Sequence, residues 1–134
     1  MPSAELFRYG LTYLFSLVII RCAIFGIFTI FPAIPANGSA ISVFVAASSS
    51  YVTLRYFIHR EHTSPFGRDY WYIVIISSIV FVLSEVIIYI YMLYMFNMDI
   101  DMLASLLIFS AILVLSLLLH MVSYSSFAAR RLLR

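Results

Sequence analysis

Four long apolar stretches alternate with short polar breaks along the 134-residue chain. The apolar stretches cover about 9–31, 39–58, 70–96 and 102–124. A helix of about 20 residues is long enough to cross a hydrocarbon core about 30 Å thick. Strands of a membrane β-barrel are shorter and alternate apolar with polar residues, which these stretches do not. The pattern therefore predicts an all-α membrane protein with four spanning helices.

The polar breaks indicate how these helices are connected. The first, "PAIPANGS" at 32–39, contains two prolines and an Asn-Gly pair and cannot continue a helix. The second, "HREHTSPFGRD" at 59–69, is the most strongly polar segment, and the third, "NMDID" at 97–101, is short and acidic. Because short connections join neighbours of opposite direction, we expect one domain over residues 1–134, an antiparallel four-helix bundle.

The arginines predict the orientation of this bundle, since basic residues are retained on the cytoplasmic side. The first and third breaks carry no basic residue, and the third carries Asp99 and Asp101. Seven of the eight arginines fall on the opposite side of a four-span arrangement: Arg8, Arg55, Arg60, Arg68, Arg130, Arg131 and Arg134. We therefore expect a multi-pass protein of the bacterial inner membrane with both termini, and the loop 59–69, in the cytoplasm.

The composition and the motifs of the chain argue against a soluble domain and against several classes of enzyme. The chain is 64% hydrophobic and only 10% charged, whereas soluble domains carry about 25% charged residues. The single cysteine, Cys22, allows no internal disulfide. The sequence contains no phosphate-binding glycine loop, nucleophile elbow or zinc-protease signature. We expect a non-enzymatic protein without cofactor, metal or nucleic-acid partner.

The eighth arginine, Arg21, lies in the middle of the first apolar stretch, in "SLVIIRCAIFG". A charge at that depth costs about 2.5–3.5 kcal/mol on insertion scales and needs a partner or a polar cavity. Glu85, in "VLSEVII", has the opposite sign and lies at nearly the same depth of the third stretch. The two are predicted to form a buried pair, which either fixes helix register or forms part of a functional site.

Three further groups of residues have predicted supporting roles. Ser78 and Tyr89 share the helical face of Glu85 and are expected to donate hydrogen bonds to its carboxylate. The terminal Arg130, Arg131 and Arg134 are expected to anchor the chain to anionic lipid headgroups. A face of small residues on the second helix favours close helix packing and hydrogen bonds between helices; its members are Ser42, Ala46, Ser49, Ser50 and Thr53.

The histidines favour structural roles over metal binding. His59 and His62 are three residues apart beside Glu61, a spacing compatible with metal ligation, but no cysteine or third histidine is near in sequence. A solvated loop is the expectation for this segment. His120, toward the cytoplasmic end of the fourth helix, is expected to be an interfacial or helix-packing histidine.

The stretch "NGSAISVFVAASSSYVTLRYFIHREHTSPFGRDYW" resembles the middle of a family of small four-helix bacterial inner-membrane proteins. The basic ending "FAARRLLR" is also similar. The resemblance implies the same four-helix layout and no catalytic residue. It is carried by Gly38, Ala46, Ala47, Tyr56, Phe57, Pro65, Arg68 and Asp69.

Two other classes of membrane protein share this size and number of spans. The segment "LRYFIHR" resembles the basic loop of lipid-linked sugar flippases of the GtrA type, without their asparagine. Immunity proteins against pore-forming bacterial toxins are similar in size, apolar character and span number, and they bind a partner within the bilayer. The leading hypothesis is an immunity protein with a membrane-embedded protein partner. The alternatives are a small flippase or transporter component for a lipid-linked or small polar substrate, and an accessory subunit of a membrane complex.

Overall fold

The computed structural model describes residues 3–32 and 38–133, and in that part the predicted all-helical fold is confirmed. Four helices are long and apolar enough to cross a membrane, by length and composition. The shortest of these has 22 residues and is about 33 Å long, enough for a hydrocarbon core. The helices are α1 (Ser3–Ile30), α2 (Gly38–Glu61), α3 (Gly67–Phe96), α4 (Met102–Ser123) and α5 (Ser126–Leu132).

Helix α2 continues through the first residues of the predicted loop 59–69, so the connection to α3 covers only 62–66. Its last turn is held against α1, because the Tyr9 hydroxyl donates to Glu61 Oε1 at 2.9 Å and Arg60 donates to Glu5 at 3.3 Å. The helix ends at Glu61, and the next residue, His62, has a left-handed φ of 55° and an N–H that donates to the Ile58 carbonyl at 2.8 Å.

The connection between α3 and α4 begins and ends with residues that are typical of helix ends. Asn97, with a φ of 48°, adopts the left-handed conformation that ends α3. The Asp101 carboxylate then accepts a hydrogen bond from the Ala104 N–H at 3.0 Å and caps α4. A tight, capped turn of this kind keeps the ends of the two helices next to each other.

The packed core lies toward one end of the bundle, which we call the basic end. It contains the start of α1, the end of α2, the start of α3, the end of α4 and α5, and the Tyr70 hydroxyl of α3 donates to the Met121 carbonyl of α4 there. The opposite, acidic end carries Asp99 and Asp101. Within the described parts of 22–44, 86–96 and 102–115, which lie toward the acidic end, Leu93 is the one buried side chain. The helices are thus tightly packed at one end and loosely packed at the other.

Gly10 lies at a close approach of α1 to α3. A Cβ added at Gly10 would lie 2.8 Å from Ile76 Cγ2, a methyl group on a stiff β-branched side chain. We expect Gly10→Ala to lower the free energy of unfolding by about 1–3 kcal/mol through overpacking, measured by thermal unfolding in detergent. Gly26→Ala on the same helix is the control, because nothing lies within 4 Å of its added Cβ. Equal stability of the two variants would contradict the close approach.

Candidate functional site

Arg21 on α1 and Glu85 on α3 form an ion pair, with Arg21 Nη2 donating to Glu85 Oε1. The two side chains are only 20% and 16% exposed. The guanidinium carbon also lies 5.9 Å from the centre of the Phe81 ring, within reach of a cation–π interaction. Among the residues that the structure describes, Arg21 Nε is a buried donor without an acceptor. The arginine is therefore neutralised but not fully hydrogen-bonded.

The hydrogen bonds predicted from Ser78 and Tyr89 to Glu85 are not formed, because both side chains bond to α4. Ser78 Oγ lies 3.2 Å from His120 Nδ1, and the Tyr89 hydroxyl lies 2.8 Å from Ser105 Oγ. Seven residues separate Ser78 from Glu85, a rise of about 10 Å that a serine side chain does not span. Glu85 contacts α1, whereas these neighbours meet α4.

His120 is completely buried at the centre of the packed end. Its Nε2 lies 2.8 Å from the Tyr13 hydroxyl on α1, and its Nδ1 lies 2.6 Å from the Ser116 carbonyl oxygen. A carbonyl oxygen can only accept, so Nδ1 carries the hydrogen and Nε2 accepts from Tyr13. The Phe81 ring lies 6.2 Å from the imidazole, so the same ring contacts both Arg21 and His120. Both ring nitrogens of His120 are used in holding α1, α3 and α4 together.

A second buried polar contact joins α3 and the end of α4. The Tyr124 hydroxyl lies 2.8 Å from Ser77 Oγ. Tyr124 also stacks on His120 at 6.1 Å. The polar contacts of His120 and of Tyr124 are thus adjacent within a mainly apolar core.

The small face predicted on α2 is packed in the interior except at its acidic end. Ala46, Ser49, Ser50 and Thr53 are buried, and Ser42 is half-buried. The Ser49, Ser50 and Thr53 hydroxyls donate to backbone carbonyls four residues earlier on α2 itself. These internal bonds let hydroxyl groups lie in an apolar interface while neighbouring helices pack closely.

A cleft of about 570 Å³ opens between α2 and α4, beside this interior. Ser42 lines it from α2, Phe81 and Glu85 from α3, and Ile112 and Ser116 from α4. We call it the α2–α4 cleft. Ser116 is 2% exposed, and in the described chain its hydroxyl has no hydrogen-bond partner. The cleft is therefore apolar apart from a carboxylate and a few hydroxyl groups, an arrangement that suits binding of an apolar segment carrying a small polar group.

The predicted headgroup anchors lie at the end of the chain. Arg130 and Arg131 are exposed in the last turn of α5, and Arg134 lies outside the described residues. His59 and His62 are exposed, and no group of three potential metal ligands occurs in 3–32 or 38–133. The chain matches no protein-family model, no curated protein and no solved structure.

Proposed function

We propose that the chain crosses the bacterial inner membrane four times as an antiparallel bundle, with both termini in the cytoplasm. The contacts of Glu61 with Tyr9, and of Met121 with Tyr70, bring together helix ends that such a bundle puts on one side. The arginines outside the apolar interior cluster at this basic end, as expected for a cytoplasmic face. The open, acidic end then faces the periplasm.

Within this arrangement the protein is a non-enzymatic binding protein, an immunity protein that neutralises a membrane-acting bacterial toxin. The observation that carries the proposal is the α2–α4 cleft, whose lining comes from three of the helices that are long and apolar enough to cross a membrane. On α2 the lining begins at Gly38, near the acidic end, so a toxin helix that enters the bilayer from the periplasm meets the cleft there first. Capture of the helix there keeps it from assembling a pore.

An apolar helix with a small polar residue fits the cleft better than a soluble molecule does. Most of the lining is apolar, including Phe81 and Ile112. The Ser116 hydroxyl, which lines the cleft, is buried without a partner in the described structure, and buried polar atoms are normally hydrogen-bonded. A serine, threonine or asparagine of an inserted helix satisfies such groups, as in other helix pairs within membranes.

A growth-protection assay tests this function. Sensitive cells that express membrane-acting toxins encoded beside this gene are expected to grow when the wild-type protein is present. Ser42→Phe fills the cleft and is expected to reduce protection at least tenfold in plating efficiency. Ser110→Phe is the matched control, since Ser110 is an exposed serine of α4 outside the cleft lining. If cells that lack the protein survive every toxin encoded beside its gene, the proposal is wrong.

The buried polar interior favours a second candidate, a transporter component for a lipid-linked or small polar substrate. His120, Tyr13 and Tyr124 add polar groups close to the Arg21–Glu85 pair. Vesicles containing the purified protein and a fluorescent polyprenyl-phosphate sugar distinguish the two functions. The immunity function predicts no faster movement of this lipid between leaflets than in protein-free vesicles. Faster movement that is lost in Glu85→Ala would favour the transporter.

A further inference from the structure

A second cavity, of about 530 Å³, lies at the basic end between α2 and α5. From α2 it is lined by Tyr51, Arg55 and His59, from the turn after α2 by His62, and from α5 by Arg131. The three α2 residues follow one another at intervals of four, so they form a single stripe along one helical face. The stripe runs from the polar end of α2 about 12 Å toward the apolar interior.

Helix α5 is fixed in position over this stripe. Ser125 caps its first turn by accepting from the Ala128 N–H at 3.5 Å. Ala129 is completely buried in the core cluster that contains Leu54 and Phe57 of α2. These contacts fix the position of Arg131 relative to α2, so the cavity is a built feature of the fold.

Among the described residues, those that line the cavity include two arginines and no carboxylate. Within 3–32 and 38–133, neither Arg55 nor Arg131 takes part in an ion pair. The nearby carboxylates of Glu5 and Glu61 are bound to Arg60, which does not line the cavity. Two guanidinium groups and two imidazoles, all with N–H donors, therefore surround a space that no acidic group of the described chain neutralises.

We propose that this cavity binds a phosphate group, and that the phosphate belongs to the headgroup of an anionic lipid. Guanidinium groups bind phosphate oxygens through paired, charge-assisted hydrogen bonds. Basic pockets between helices at the cytoplasmic surface bind such headgroups in other membrane proteins. Tyr51 and Ile58, which line the cavity toward the apolar side, suit the first part of the acyl chains. The site is independent of the α2–α4 cleft and of any toxin.

A lipid titration of the purified full-length protein in non-ionic detergent, followed by native mass spectrometry, tests the proposal. We expect phosphatidylglycerol to bind at least tenfold more tightly than phosphatidylcholine with the same acyl chains. The double variant R55Q/R131Q is expected to weaken phosphatidylglycerol binding at least tenfold. The matched control R8Q/R68Q removes two exposed arginines of the same end that do not line the cavity, and it is expected to change binding by less than twofold.

Two outcomes would overturn parts of this proposal. Equal weakening in both double variants would show attraction by surface charge without a site. Inorganic phosphate at millimolar concentration is the second probe, added before the lipid. If it binds with the same dependence on Arg55 and Arg131 while phosphatidylglycerol does not, the ligand is a soluble phosphate and the lipid assignment is wrong. Thermal unfolding of both variants checks that they remain folded.

Discussion

Glu85→Ala is expected to lower the free energy of unfolding by about 3–5 kcal/mol, because it leaves the Arg21 guanidinium buried without a counter-charge. Arg21→Ala is expected to cost less. A carboxylate that loses its partner can take up a proton and become neutral, whereas arginine stays charged in proteins. Thermal unfolding of the purified variants in detergent measures both effects. The amount of protein that accumulates in membranes gives an independent reading.

Two controls accompany this pair of variants. The exchange variant R21E/E85R restores opposite charges and is expected to recover part of the lost stability. Arg68→Ala removes an exposed arginine that bonds Tyr72, and such a surface change is expected to stay within about 0.5 kcal/mol. If Glu85→Ala and Arg21→Ala are both as stable as Arg68→Ala, the ion pair does not stabilise the bundle.

His120→Ala is expected to have the second largest effect, a loss of about 3–4 kcal/mol. The substitution leaves a cavity in the packed end and removes the acceptor of the Tyr13 hydroxyl. His59→Ala, at an exposed position of α2, is the matched control and is expected to be close to wild type in thermal unfolding. Equal stability of the two alanine variants would contradict the central role of His120.

A double-mutant cycle isolates the hydrogen bond between His120 and Tyr13. Tyr13→Phe alone is expected to cost about 1–3 kcal/mol, since it leaves His120 Nε2 without a donor. When His120 is already alanine, Tyr13→Phe is expected to cost less, because the hydroxyl has lost its partner. The difference is the coupling energy of the pair. A coupling near zero would mean that the two side chains do not interact.

The helices and the Arg21–Glu85 contact could be predicted from sequence for simple physical reasons. Twenty apolar residues in a row leave few alternatives to a spanning helix. Arg21 and Glu85 are the strongly charged residues in the middle of those stretches, and their matching depth limits the choice of partner. The hydrogen bonds of Ser78 and Tyr89 could not be predicted in the same way. Sharing a helical face with Glu85 does not say which neighbouring helix each side chain meets.

Other features depend on contacts between distant parts of the chain. His120 and Tyr13 are 107 positions apart, and the sequence contains ten tyrosines, so no local signal selects this one. Helix α5 has seven residues, too few for a helix to be stable alone in water, and it depends on the burial of Ala129. The two cavities arise from the distances between packed helices, which a linear pattern does not encode.

Photo-crosslinking from the α2–α4 cleft is the most direct test of the central claim that this cleft takes up a helix of a membrane-acting toxin. Benzoylphenylalanine is introduced at Leu115, an exposed residue of the cleft lining, or, as the control, at Ser110 on the exposed face of α4. Each variant is expressed with a toxin chosen because the wild-type protein protects cells from it in the growth assay. We expect a crosslinked product of the combined mass from position 115 and little or none from position 110. No product from position 115, or equal yields from both positions, would contradict the claim.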